Sequence, residues 1–312
     1  MTDDRLTRAD ISVGGIRFRL RAEKPDAAFE VGPEYAGFVI GDGGNGPSGD
    51  DVLLDVLTHP PPDMDNCEEI FDAQGNWKLL RDGDHILMPI SSPALDPNLY
   101  KVLRIDEHFS RGEIYMVPEV RQVKPHSSGD GTGVKTYPFQ YPLDEVLTVN
   151  LLSRSRGVEL HGLGVDLDGN GVIFTGTSGA GKSTLAELWK QRAGNTVLSD
   201  DRLIVRPGPG DHTEDFLLFG TPWHGDAGVS APGGVPLKRV LVLNQARENR
   251  LVELSAAEAA TMLLIRCFPT FWDHRGMDFT VDFIGRICSS IPCYELRFLP
   301  EQAAIDTAVA DL

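Results

Sequence analysis

The stretch GTSGAGKSTLAELW, residues 176–189, places Gly176, Gly181, Lys182 and Ser183 at the spacing GxxxxGK[ST]. That pattern cradles phosphate when an apolar strand runs into it and a helix leaves it. Here GVIFT precedes it and the helix-forming STLAELWKQ follows. Glycines let successive N–H groups converge on phosphate oxygens, and the helix start adds partial positive charge. Lys182 reaches the terminal phosphates and Ser183 offers a hydroxyl to Mg²⁺. Gly176, Thr177, Ser178, Gly179, Ala180, Gly181, Lys182, Ser183 and Thr184 are therefore the expected nucleotide contacts.

A second acidic group for the metal commonly comes from the end of an apolar strand, and VLSDD has that form at Asp200 and Asp201. If one aspartate joins Ser183 around Mg²⁺, the other is free to take a proton from an attacking hydroxyl, which phosphoryl transfer to an alcohol requires. Residue type alone does not divide these roles between the two. His161, in VELHGLGV, lies on the strand before the loop strand, where it can orient a phosphate or share a proton with an aspartate. GTPWHG, residues 220–225, suits a rigid loop presenting Trp223 and His224, with a plain turn anchored by Trp223 as the other reading. Arg266, within the apolar run MLLIRCF, is expected on a helix, either snorkelling at the surface or partnering a phosphate.

These residues need a scaffold, and the pattern around them is α/β. YPLDEVLTVNLLSRSRG predicts a helix with Pro142 in its first turn and Gly157 at its stop. Strands GVELHGLGVDL and GVIFTG, a helix over about 182–192 and a strand TVLSDDRLIVR then make a strand, loop, helix, strand unit. RVLVL reads as a buried strand, and Ser255 with Glu258 forms a capping box that starts a helix. DFTVDFIGRICS reads as a helix, CYELRFL as a strand and PEQAAIDTAVADL as a helix. Residues 11–121 differ: IRFRLR alternates apolar and basic residues at the period of a sheet with one wet face, and further short strands follow. The expected domains are a mainly antiparallel β unit over 1–123, a linker over 124–136 and an α/β unit over 137–312. GDGGNGPSGDD, residues 41–51, reads as a further loop.

Composition narrows the partners. With 29 basic and 46 acidic residues the net charge is −17, which disfavours nucleic acid and anionic membrane surfaces. No run approaches a membrane span, MTDDRLTRAD has no apolar signal core, and a cytoplasmic location is expected. Cys67, Cys267, Cys288 and Cys293 have neither CxxC nor disulfide-scaffold spacing and are expected as free thiols. The histidines lack the spacing of a zinc site, and no GxSxG turn is present.

LHGLGV, GVIFTGTSGAGKSTLAELW and LSDDRLIVR, in that order, resemble the catalytic domain of bacterial HPr serine kinase/phosphorylase. The sequence is more similar to the HPr-kinase-related proteins that share YPLDE, GTPWHG and a PCYELRF-type ending, over about 137–312. The resemblance implies a P-loop fold akin to phosphoenolpyruvate carboxykinase, ATP and Mg²⁺ as cofactors and a serine hydroxyl as acceptor. It puts the phosphate loop on Gly176–Ser183, the catalytic aspartate pair on Asp200 and Asp201 and the active-site histidine on His161. Thr184 stands where the family has glutamate, and GTPWHGD replaces its Arg- and Gly-rich signature, so the phosphorolytic reverse reaction is not carried over.

The leading expectation is an ATP- and Mg-dependent kinase acting on a hydroxyl of a peptide, protein or small molecule, with room for a homo-oligomer. Lys182, Asp200, Asp201 and His161 would carry the chemistry, and Trp223, His224 and Arg266 would assist at the acceptor. The alternatives are a nucleotide-responsive binding module without transfer and, last, a carboxykinase.

Overall fold

The structure is a computed structural model that describes residues 6–25, 28–41, 51–117, 120–122, 136–177, 179–209 and 215–312. Of the expected loops, residues 42–50 and 124–135 lie outside this set, as does Ser178. The chain is mixed α/β, with two large mixed sheets and few helices. It divides into two compact units: Met1–Ser12 with Ile16–Thr148, and Val13–Gly15 with Val149–Leu312.

The first unit carries β1 (Arg8–Val13), β2 (Ile16–Ala22), β3 (Val39–Ile40), β4 (Asp51–Leu57), β5 (Glu68–Asp72), β6 (Lys78–Asp82) and β7 (His85–Ser91). It continues with β8 (Leu95–Asp96), β9 (Leu99–Asp106), β10 (Arg111–Met116) and β11 (Arg121–Gln122). Among the described residues the large sheet runs β3-β1-β2-β4-β10-β9-β7-β6-β5, and β8 pairs separately with β11. The alternation in IRFRLR is realised: Ile16, Phe18 and Leu20 are fully buried, while Arg17 and Arg19 are half-buried and Arg21 exposed on the other face. The sheet is not antiparallel throughout, because β4 runs parallel to both β2 and β10. Parallel neighbours need long connections, and residues 23–50 and 58–110 supply them.

Phe139 packs against Phe18 and Tyr35, with ring centroids 4.7 and 5.4 Å away. Lys101 is fully buried on β9 and donates to the Tyr137 carbonyl at 2.5 Å. Burial drives its ammonium down to about 7, against the pull of Asp144. The Tyr35 hydroxyl donates to the Asp144 carboxylate. These contacts hold residues 137–144, which the sequence assigned to the C-terminal domain, within the first unit.

α1 (Leu143–Leu152) leads into β12 (Val158–His161), β13 (Leu163–Leu167), β14 (Asn170–Thr175), α2 (Lys182–Lys190), β15 (Asn195–Ser199), β16 (Arg202–Pro207) and β17 (Phe216–Gly220). Then come β18 (Gly234–Gln245), β19 (Arg250–Glu253), α3 (Ala256–Leu264), α4 (His274–Ser290), β20 (Cys293–Phe298) and α5 (Gln302–Ala308). The sheet path is β12-β16-β17-β18-β14-β13-β15, with β20 on β18 and β19 on β20.

The centre of β14, Val172 to Phe174, is apolar at successive positions because both its faces are covered. Ile173 faces one core with Leu263 and Phe283, while Val172 and Phe174 face another with Trp189 and Leu296. β18 divides likewise, Val240 to the first core and Leu241 and Leu243 to the second. The Ser255–Glu258 capping box opens α3 as expected. That helix ends at Leu264, so Arg266 lies beyond it rather than on it, in a segment bridged to β12 through Leu160 and Cys267. All four cysteines are free thiols.

Candidate active site

The expected single strand TVLSDDRLIVR is broken into β15 and β16 at Asp200 and Asp201. β12 and β13, joined through Gly162, break at the matching point. The two broken strands pair antiparallel along their length, from Val158↔Val205 to His161↔Arg202 and on from Gly164↔Ser199 to Leu167↔Asn195. They form one ribbon with a kink, and the kink is where His161, Asp200 and Asp201 meet. Close approach favours glycine there: a Cβ on Gly162 would sit 3.0 Å from the Phe174 carbonyl oxygen, and one on Gly164 would push against the Leu203 methyls. Gly162 N–H donates across the kink to the Asp201 carbonyl at 3.0 Å.

Opposite the kink, β14 runs into the glycine-rich loop and α2 leaves it. Gly181, at φ 104°, caps the helix with no side-chain acceptor, leaving the first N–H groups open. A Cβ on Gly181 would come within 2.8 Å of the Phe298 ring, so that position excludes larger residues on two counts. Gly176 is confined by Ala180, 2.8 Å from where its Cβ would lie. Lys182 is 9% exposed and its ammonium bends back to the carbonyls of Gly176 and Thr177 at 3.2 and 3.5 Å. Burial pulls its pKa below the usual lysine range and nearby Arg266 adds to that, while Asp201 opposes it. Ser183 and Thr184 are exposed.

A cavity of about 500 Å³ lies between these parts, lined by His161, Gly179, Gly181, Lys182, Ser183, Thr184, Asp200, Asp201, Gly225, Asp226 and Gln245. Of the nine expected loop residues, Gly179, Gly181, Lys182, Ser183 and Thr184 line this cleft together with His161, Asp200 and Asp201, whereas Gly176, Thr177 and Ala180 do not. The two aspartates differ in partners. Asp200, 4% exposed, accepts from the N–H groups of Gly225 at 2.9 Å, Ala227 at 2.8 Å and Val229 at 3.4 Å. It anchors the loop after GTPWHG. Asp201 lies 2.8 Å from Nδ1 of His161 and 2.7 Å from Nη1 of Arg202. Burial pushes the Asp201 carboxyl upward, but the His161 hydrogen bond and the charges of Arg202, His161 and Lys182 outweigh it and hold the pKa below the usual aspartate range.

Arg202 extends this network. Its Nε is 3.5 Å from the buried carboxylate of Glu159, and its guanidinium stacks on Phe268 with 4.2 Å to the ring centroid. Neither Arg202 nor Glu159 was singled out in the sequence, although both sit in the quoted motifs, one residue after DD and two before the histidine. Gln245, at the end of β18, donates to the Gly179 carbonyl at 3.2 Å. Its neighbour Asn244 turns instead to Glu295 at 2.8 Å.

Trp223, His224 and Arg266 are not among the described residues that line the cavity. Trp223 is half-buried and its carbonyl accepts from the hydroxyls of Ser199 and Thr221. His224 is exposed, its Nδ1 3.2 Å from the Gly225 carbonyl oxygen. Arg266 contributes its carbonyl to the His161 N–H at 2.7 Å and donates from its guanidinium to the Met262 carbonyl. Among the described residues no three His, Cys, Asp or Glu side chains gather as a metal cluster, and no helix is long and apolar enough to cross a membrane.

Fold and cleft thus define a two-unit mixed α/β protein with a glycine-rich strand-to-helix loop facing a histidine–aspartate pair. Residues 143–298, half of the chain, match the family model described as SynChlorMet cassette protein ScmC, and the chain belongs to that family. No curated protein matches it. Among solved structures it is similar to the HPr(Ser) kinase/phosphatase from Coxiella burnetii, at 14% identity over 48% of this chain and 93% of that one. The TM-score of 0.25 makes this likeness too slight to establish fold or function.

Proposed function

We propose that the protein is an ATP- and Mg-dependent kinase that transfers the γ-phosphoryl group to a hydroxyl of a peptide, protein or small molecule. The observation that carries this reading is that Asp201, held by His161, shares one cleft with Lys182 and the open N-terminus of α2. A phosphate-binding switch needs the loop and the lysine. It does not need a charged carboxylate, fixed by an imidazole, on the opposite wall.

In this reading the amides of Gly176–Ser183 and the Lys182 ammonium hold the β- and γ-phosphates. Ser183 with an aspartate oxygen suits Mg²⁺, a hard cation that keeps several water and phosphate oxygens and needs only one or two protein ligands. Such an ion would neutralise charge on the phosphates. Asp201 takes the proton as the acceptor oxygen bonds to the γ-phosphorus and the bond to the bridging oxygen breaks, releasing ADP. The transition state of phosphoryl transfer is loose, so a carboxylate of low pKa suffices to orient the hydroxyl and collect its proton. A peptide serine is the acceptor that the sequence resemblance favours.

The test is the fate of label from γ-labelled ATP with Mg²⁺, for the protein alone and with extracts or peptides of its own cell. Transfer to an acceptor that disappears in Lys182→Ala is the expected result. Nucleotide binding with no transfer from ATP, GTP or pyrophosphate would favour the nucleotide-responsive module instead.

A further inference from the structure

The wet face of the first unit's sheet carries an unusual charge arrangement for a chain of net charge −17. On β2 and β4 the pairs in register are Arg17↔Asp51, Arg19↔Leu53 and Arg21↔Asp55. On the other side of β4, Arg111 of β10 also stands opposite Leu53. Asp51 is shared by Arg17 at 3.9 Å and Arg19 at 2.6 Å. Asp55 is shared by Arg21 at 2.8 Å and Arg111 at 3.8 Å. Among the described residues, four guanidiniums thus divide two carboxylates. Nε of Arg19 and both Nε and Nη2 of Arg17 are buried without a hydrogen-bond partner among the described residues.

In the middle of this frame Leu53 is 43% exposed. Arg8, Arg19, Arg21 and Arg111, with Asp55 and Leu53, line a cavity of about 250 Å³. Arg21 and Arg111 remain 64% and 66% exposed; Nε and Nη2 of Arg21 already donate to Asp55, at 3.0 and 2.8 Å, and Arg111 reaches the same carboxylate only at 3.8 Å. We infer that this face docks an acidic peptide segment in which an apolar side chain lies between two carboxylates. Arg19 and Arg111 flank Leu53 from strands two steps apart, about 10 Å across the sheet. One small anion cannot span that distance. An extended peptide places residues i, i+2 and i+4 on one side over about 13 Å, and flexible arginines close the difference. Acidic residues at i and i+4 meet the two guanidiniums as charge-assisted hydrogen bonds, and the apolar residue at i+2 covers Leu53.

This inference stands apart from the kinase reading, since none of these residues belongs to the cleft described above. The test is fluorescence anisotropy on the full chain with a labelled extended peptide bearing Glu, Leu and Glu at alternating positions. The expected result is saturable binding, weakened by salt and at least about ten-fold weaker in the double variant Arg19→Ala/Arg111→Ala. Arg19→Lys/Arg111→Lys should recover part of the loss, and circular dichroism with a cooperative thermal melt checks that both variants are folded. Absence of saturable binding, equal binding of a Lys–Leu–Lys peptide, or parent-like affinity in the alanine variant would each overturn the proposal. So would a single-stranded oligonucleotide that displaces the peptide more tightly than unlabelled peptide does.

Discussion

Asp200 and Asp201 are neighbours in the chain, yet their carboxylates engage different parts of the molecule. Asp200 binds three backbone N–H groups of residues 225–229, while Asp201 meets the side chains of His161 and Arg202. The kink between β15 and β16 separates them. One aspartate builds a wall of the cleft and the other faces its contents.

Asp201→Asn should therefore lower phosphoryl transfer by about 100- to 10,000-fold, the range for loss of a positioned base, with little change in nucleotide affinity. Single-turnover transfer and equilibrium binding of ATP, measured on one preparation, check this. Equal losses in both would place Asp201 in binding alone.

Asp200→Asn keeps one acceptor oxygen where two were used, leaving buried N–H groups short of a partner. We expect a stability loss of about 1–3 kcal/mol. Limited proteolysis should find new cleavage near residues 225–229, and a parent-like melting temperature would show that the loop is held without this aspartate.

Arg202 bridges Asp201 and Glu159 while stacked on Phe268, a combination that the point charge of lysine cannot reproduce. Arg202→Lys should reduce kcat more than it changes KM. Arg202 is one of the groups holding the Asp201 pKa low, so a replacement that loosens the contact lets that pKa rise. The acid limb of the kcat profile then moves to higher pH, and an unmoved limb would reduce Arg202 to a packing residue.

The depressed lysine of the first unit has a stability signature. Lys101 binds its proton less tightly when folded, near pH 7, than when unfolded, near 10.5. Over that window the unfolded chain holds more protons, so the contribution of Lys101 to stability rises with pH. Chemical denaturation of the parent and of Lys101→Met between these limits should show the parent gaining relative to the variant; parallel curves would mean that Lys101 does not titrate there.

Local signals made much of this legible. The capping box at Ser255, the alternation in IRFRLR and the two-sided apolar run GVIFT each reported a short-range preference, and the corresponding elements form. That Lys182, His161 and the aspartates line one cleft was legible because a glycine-rich strand-to-helix turn and an acidic strand end are local patterns. What lay hidden was contact between distant segments. Nothing near Asp200 indicates that its acceptors are filled from residues 225–229. Arg202 reads as one more polar residue until Glu159 and Phe268 are seen around it. Arg266 was placed on a helix because the run MLLIRCF stays apolar past its end, whereas that segment bridges to β12. Parallel pairing of β4 was equally invisible, since strand direction is set by connections far from the strand.

β18 has a consequence for synthesis. It is the parallel partner of β14, the strand that leads into the glycine-rich loop, and its last residue, Gln245, secures that loop at Gly179. The ribosome completes the GxxxxGK[ST] segment well before this strand emerges. A chain truncated between residues 190 and 234 would hold the whole motif without β18, the strand that pairs with β14 and secures its loop, so the shape of the loop depends on residues made more than 50 positions after it.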